Sequence, residues 1–233
     1  DLQWNEDDPA DTYSLQVATD DEFNNIIADE TGIANNNYEI TGLDNGQLYY
    51  WKVKAHNSGK FSNWSEVFTF HTFIEPPELL SPLNMAVNIS TDPLLEWNAS
   101  EGATFYNLQV SPLADFSSST TTYSNLTETD QDISGLENAE EYYWRMQAAD
   151  SYETSVWSDS HSFTTKLASP QLIAPADGMA GQTENIEFSW NSVNSAESYT
   201  LQISEQEDFS SLHYENGDMT TTAITLSIFD VAT

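Results

Sequence analysis

The sequence contains no cysteine, which removes both a disulfide framework and thiolate metal sites. Basic residues are almost as scarce. Only 5 Lys and Arg stand against 38 Asp and Glu, for a formal charge of −33. Nucleic acid binding needs a basic footprint to neutralise phosphates, and this chain has none to offer. An anionic membrane surface would repel it for the same reason. Long apolar runs are missing as well: no stretch approaches the ~20 residues of a membrane helix, so direct membrane insertion is not expected. Nor does a signal peptide open the chain. Asp1 and Leu2 begin on a strand-like pattern, and residue 1 is expected to be a mature terminus or a cut.

What is present describes a folded chain. At 39% hydrophobic and 12% aromatic residues it is too apolar for a solvated coil. So strong an acidic balance favours solubility and discourages self-association. Salt screens the self-repulsion, because the Debye length shrinks to about 3 Å near 1 M. The charge fits a saline or cation-rich exterior.

A repeat organises the whole sequence. Trp4, Trp97 and Trp190 recur every 93 residues, as do Tyr13, Tyr106 and Tyr199, and Phe23, Phe116 and Phe209. Tyr50 with Tyr143, Trp51 with Trp144, Trp64 with Trp157 and Pro77 with Pro170 keep the same spacing. Such a period signals repeated structural units. Each unit reads as short strands with apolar residues at every second position: Tyr13, Leu15 and Val17, then Tyr49, Trp51, Val53 and Ala55, and their counterparts. Polar residues alternate with them, so each strand has one buried and one wet face. Asn45-Gly46, Ser58-Gly59 and Asn216-Gly217 supply turns. Closely spaced strands of this kind predict antiparallel β-sandwiches.

The residues Leu43 to Ala55, with the pattern Leu-x-x-x-x-x-Tyr-x-Trp-x-Val-x-Ala, and Leu136 to Ala148 after them, resemble the corner and strand F of fibronectin type III domains. The resemblance implies an all-β fold of tandem immunoglobulin-like sandwiches in a linear array, of the kind found in large bacterial secreted and cell-surface proteins. It makes Tyr49 and Tyr142 corner tyrosines, and Trp4, Trp97 and Trp190 buried strand-B tryptophans. Trp51 and Trp144 join them in the expected core. Ser62-x-Trp64-Ser65 and Ser155-x-Trp157-Ser158 resemble the family's approach to strand G.

Three copies are expected: residues 1–73 lacking strand A, a complete 74–166, and 167–233 lacking strands F and G. An open third copy would expose Trp190, Tyr199 and Leu201, so the chain reads as a window from a longer array. Short proline-bearing junctions between Thr72 and Pro77, and between Thr165 and Pro170, suggest a stiff rod.

Candidate sites are few. His56, His71, His161 and His213 fall out of register with one another and are expected at the surface, in no catalytic constellation. No catalytic or cofactor-binding residue is expected, and no nucleophile elbow or phosphate loop is present. Asp7, Asp8 and Asp11 crowd one turn and are a candidate for Ca²⁺, whose hard oxygen ligands they supply, but they lack the spacing of a calcium loop. Lys52, Lys54 and Arg145 sit on outward strand-F positions where Trp64 and Trp157 could stack on them as cation–π partners. The alternative use of those tryptophans is a glycan platform. Asn63, Asn88, Asn98 and Asn125 open sequons that matter only where exported proteins are glycosylated.

These features suggest a non-enzymatic stalk or filament segment of a secreted or cell-surface protein, serving as spacer or protein-interaction array. Its expected partners are neighbouring repeats of the same parent chain, and other surface proteins or glycans. The competing reading is an accessory spacer or weak glycan binder in a secreted polysaccharide-degrading enzyme.

Overall fold

The structure is a computed structural model that describes residues 1–6, 10–181 and 185–227. Among these residues it is built of β-strands, turns and irregular segments, without helix. Copy one holds β1 (Leu2–Gln3), β2 (Thr12–Ala18), β3 (Ile26–Ile33), β4 (Asn37–Tyr38), β5 (Leu48–Asn57), β6 (Lys60–Phe61) and β7 (Phe68–His71). Copy two holds β8 (Leu79–Ser81), β9 (Ala86–Ile89), β10 (Leu94–Trp97), β11 (Phe105–Ser111), β12 (Thr121–Leu126), β13 (Asp130–Asp132), β14 (Glu141–Ala149) and β15 (His161–Thr165). Copy three contributes β16 (Leu172–Ala174), β17 (Asn185–Trp190), β18 (Tyr199–Ile203), β19 (Tyr214–Met219) and β20 (Ala223–Ser227).

The chain forms two compact units, Asp1–Asn84 with Leu94–Asp132 and Tyr142–Ser162, and Met85–Pro93 with Ile133–Glu141 and Phe163–Thr233. This division runs through copy two and does not follow the 93-residue period.

In the first unit β1 pairs with β4, while β2 lies antiparallel between β3 and β5 and β5 pairs with β6 and β7. The same plan returns in copy two, where β10 lies between β8 and β13 and β11 between β12 and β14. The period-2 alternation decides what is buried: Leu95 and Trp97 from one sheet, and Tyr106, Leu108, Trp144 and Met146 from the other, are all buried. Trp97 meets Tyr106 edge-on at 5.7 Å between centroids, and Trp4–Tyr13 and Trp190–Tyr199 repeat the pair at 5.4 and 5.7 Å. Tyr49 is buried and its hydroxyl accepts the Asp44 amide at 3.0 Å, which ties the corner ahead of β5.

Two tryptophans differ from the sequence expectation. Trp4 and Trp51 are half-buried, because they line an open groove of about 1030 Å³ with Tyr13, Val53 and Phe68. In copy two the Leu79–Asn84 segment runs beside the corresponding residues. There Leu79 pairs with Trp97, and Asn84 Oδ1 accepts the Ser162 amide.

In the second unit β9 and β15 pair in parallel, β17 lies between β16 and β20, and β18 pairs with β19. Trp190, expected in the core as a strand-B tryptophan, would have been exposed by an open third copy. It is only 5% exposed: β16 pairs along its strand and the Tyr199 ring packs against it at 5.7 Å. Tyr199 and Leu201 are half-buried.

Candidate functional site

The outward face of β5 and β14 carries most of the chain's few cations. The period of 2 that sends Trp51 and Val53 inward sends Lys52 and Lys54 outward. Lys52 Nζ lies 3.6 Å from the Phe23 ring centroid and 5.2 Å from that of Trp64. Lys54 Nζ is shared by Trp64 at 4.6 Å and Phe61 at 5.3 Å. In copy two the Arg145 guanidinium stands 4.0 Å from the Phe116 centroid and 4.6 Å from Trp157. Its Nε and Nη2 both donate to Gln109 Oε1, at 3.0 and 2.8 Å, from the neighbouring strand β11. Burial lowers the guanidinium's pKa from its ordinary value, yet arginine keeps its charge throughout the range proteins experience.

Local chemistry places both rings. Phe23, Phe116 and Phe209 all adopt left-handed φ, at 60°, 54° and 53°, and each amide donates to the carbonyl three residues back. Side-chain bonds hold all three turns: Asp20 accepts the amides of Asn24 and Asn25 at 3.0 and 2.7 Å, and Asp115 Oδ1 accepts the Ser117 amide and Asp208 Oδ1 the Ser210 amide, both at 3.0 Å. The bond from Ser117 keeps the Asp115 pKa below the ordinary carboxylate value, and that from Ser210 does so for Asp208. The tryptophans are set by flanking serines. Ser155 Oγ accepts the Ala148 amide and Ser158 Oγ the Met146 amide, each at 3.0 Å, and Ser62 and Ser65 do the same for Ala55 and Val53. A Ser-x-Trp-Ser segment thereby replaces a regular strand while satisfying the edge of β5 or β14.

The phenylalanine half of each stack was missed by sequence reasoning, although the 93-residue recurrence of Phe23, Phe116 and Phe209 was its signal.

A second cluster joins copies one and two within the first unit. His71, at the end of β7, is not at the surface as expected: its side chain is 12% exposed. Its Nε2 lies 2.9 Å from Asp150 Oδ2, its Nδ1 lies 3.7 Å from Glu153 Oε1, and its ring stacks on Tyr152 at 5.0 Å. The other oxygen of Asp150 accepts the amides of Tyr152 and Glu153, both at 2.8 Å. Burial works to raise the Asp150 pKa, but those amides and the nearby His71 together hold it below the ordinary carboxylate value. The same two copies also meet where the backbone at Gly46 approaches that at Gly102. A Cβ on Gly102 would lie 2.5 Å from the Gly46 Cα, and both residues have positive φ, at +77° and +59°. Ile74, in the connector, is buried.

The remaining candidates are quickly placed. His56 Nε2 lies 2.8 Å from Ser14 Oγ, and exposed His213 faces Glu205 at 3.3 Å. Half-buried His161 meets Trp144 edge-on at 5.9 Å. Asp7 and Asp8 lie outside the described residues, and Asp11 Oδ2 accepts the Ser58 amide at 2.8 Å. Among the described residues no group of three His, Asp or Glu is arranged to hold a metal. No helix among them is long and apolar enough to cross a membrane.

Fold and clusters together define an all-β protein of tandem antiparallel sandwiches whose polar features serve packing between strands and between copies. Residues 1–71 match the fibronectin type III domain family, and with the 93-residue period the chain is one of tandem fibronectin type III-like repeats. No curated protein matches the sequence. Among solved structures it is similar to the FN1–FN3 domains of chicken CNTN1, at 13% identity over 97% of this chain and 82% of that one, with a TM-score of 0.34. A two-domain fibronectin type III segment from chicken tenascin is 14% identical over 70% of this chain and 90% of that one, with a TM-score of 0.47. An Fn3-like protein from Clostridium thermocellum is 26% identical over 39% of this chain and 95% of that one, at a TM-score of 0.31.

Proposed function

We propose that this chain is a non-catalytic spacer segment of an extracellular surface protein, in which successive repeats dock on one another to hold neighbouring parts of the parent chain at a set separation. The observation that carries this reading is the joint between copies one and two. A loose tether would need only a short connector, whereas here His71 and Gly46 of one copy meet Asp150, Tyr152, Glu153 and Gly102 of the next. The acidic surface fits the same role, since like charge keeps parallel copies of a stalk from clumping. The faces of Trp64 and Trp157 are engaged by cations, which argues against their service as a glycan platform.

The absence of cysteine makes a direct test clean. Spin labels at Glu39→Cys in copy one and Ser124→Cys in copy two, both at exposed positions, should report a single narrow distance distribution. A broad distribution, as from a flexible tether, would remove the basis for the spacer reading.

A further inference from the structure

We propose that the joint between copies one and two is a proton-operated latch, in which protonated His71 bridges Asp150 and Glu153 at once and the neutral ring bridges only one of them. The argument begins with hydrogen-bond capacity. A neutral imidazole carries one N–H and one lone pair, and only the charged ring donates from both nitrogens. Here Nε2 faces Asp150 Oδ2 at 2.9 Å and Nδ1 faces Glu153 Oε1 at 3.7 Å, so both positions call for a donor. With a single proton, placed on Nε2 for Asp150, the Nδ1 lone pair confronts a carboxylate oxygen. The structure has this mismatch: Nδ1 and Glu153 Oε1 are both buried and neither has a hydrogen-bond partner among the described residues. Buried groups left in that condition are costly, and a second proton on the ring resolves both together.

The surroundings sharpen the effect. Asp150 is held in place by two backbone amides on its other oxygen, so it does not need His71 to stay ordered and acts as a fixed anion. Tyr152 stacks on the ring, a contact that favours a cation over a neutral group. Among the described residues the ionisable groups in contact with His71 are Asp150, Tyr152 and Glu153, all on one turn of copy two. From its own sheet it is paired with Leu48, which does not titrate. The two ring nitrogens point at different carboxylates, so the cluster does not converge on a point where a metal would sit.

The latch belongs to this joint alone in the sequence. One period later Thr164 stands where His71 does, and one period earlier Asn57, Gly59 and Lys60 stand where Asp150, Tyr152 and Glu153 do. Histidine is the side chain whose charge changes in the physiological range, so acidification should tighten the contact between these two copies and alkalinity should ease it. This inference rests on the joint and not on the spacer role.

The test uses the same label pair on the whole chain, with Gly102→Ala added to weaken the joint so that docked and undocked states are both populated. Between about pH 8 and about pH 5.5 the docked-to-undocked ratio should rise about tenfold, the scale of one added charge-assisted hydrogen bond. His71→Gln, and separately Glu153→Gln, should flatten that response. A ratio that moves less than about twofold in the parent over this range, or a response that survives His71→Gln, overturns the latch. Ring nitrogen NMR of His71 in the unmutated chain provides a second readout, in which both nitrogens should carry protons at the acid end. A narrow distance at every pH with no response from His71 would leave the spacer reading standing and remove the latch. A broad distance at every pH in the unmutated joint would remove both.

Discussion

The Arg145 guanidinium stands 4.6 Å from the ring centre of Trp157 and shares its charge with Phe116 at 4.0 Å. Three elements meet at this cation: the turn that holds Phe116, strand β14, and the Ser-x-Trp-Ser segment. Arg145→Ala should therefore destabilise copy two by about 1–2 kcal/mol, the sum of two partly exposed cation–π contacts and the bonds to Gln109. Arg145→Lys, which is what copy one carries at Lys52, should cost less than about 1 kcal/mol. Denaturant unfolding followed by tryptophan fluorescence measures both.

The serines flanking Trp157 should matter through their hydroxyls. Ser155 is buried and its Oγ accepts the Ala148 amide, so Ser155→Ala leaves that amide without its partner, at a cost of about 1–3 kcal/mol. Hydrogen exchange at Ala148 should accelerate along with the loss of stability. Unchanged exchange there would show that another group satisfies the amide.

Equivalent tryptophans should respond unequally. Trp97→Ala removes a buried ring and should cost ~3–5 kcal/mol, enough to threaten a domain whose total stability is only ~5–15 kcal/mol. Trp4→Ala removes a half-buried ring at an open groove and should cost clearly less. Equal losses in the two variants, by chemical denaturation, would mean that the groove closes in solution.

Gly102→Ala should disturb the joint more than either copy. The added Cβ meets the Gly46 backbone at 2.5 Å, at a φ of +77° that strains any other residue. Broadening of the inter-copy distance, with the unfolding midpoint of copy two shifted by much less, is the expected pattern.

Strong acid should weaken the Asp150–Glu153 turn that carries the joint, for a separate reason. The Asp150 pKa is lowered in the folded chain, so its contribution is fully present above the ordinary carboxylate value. It is lost as pH falls through the lowered one. Asp150→Asn should remove that acid limb while leaving the fold intact, as read by unfolding midpoints from about pH 6 down to about pH 2.5. With the latch, the joint should hold best in mildly acidic solution.

Much of the architecture is already written in the sequence, because the interactions that make it are local or repeated. Alternation at Tyr106, Leu108 and Val110 assigns one face of a strand to the core without reference to any other strand. The 93-residue recurrence carries that assignment from copy to copy. Outward Lys52, Lys54 and Arg145 follow from the same period of 2, as does their availability to Trp64 and Trp157. Folding alone decided which distant groups complete those patterns. Phe116 reaches Arg145 only because a turn holds it at positive φ over the neighbouring strand. Trp4 and Trp97, alike in sequence, differ in burial: Trp97 is packed beside the Leu79–Asn84 segment, whereas Trp4 lines a groove. His71 looks like a surface histidine until the turn from Asp150 to Glu153 is brought against it. No periodicity within one strand encodes that encounter, since a contact between two copies depends on how their folded surfaces fit, and that fit exists only once both are formed.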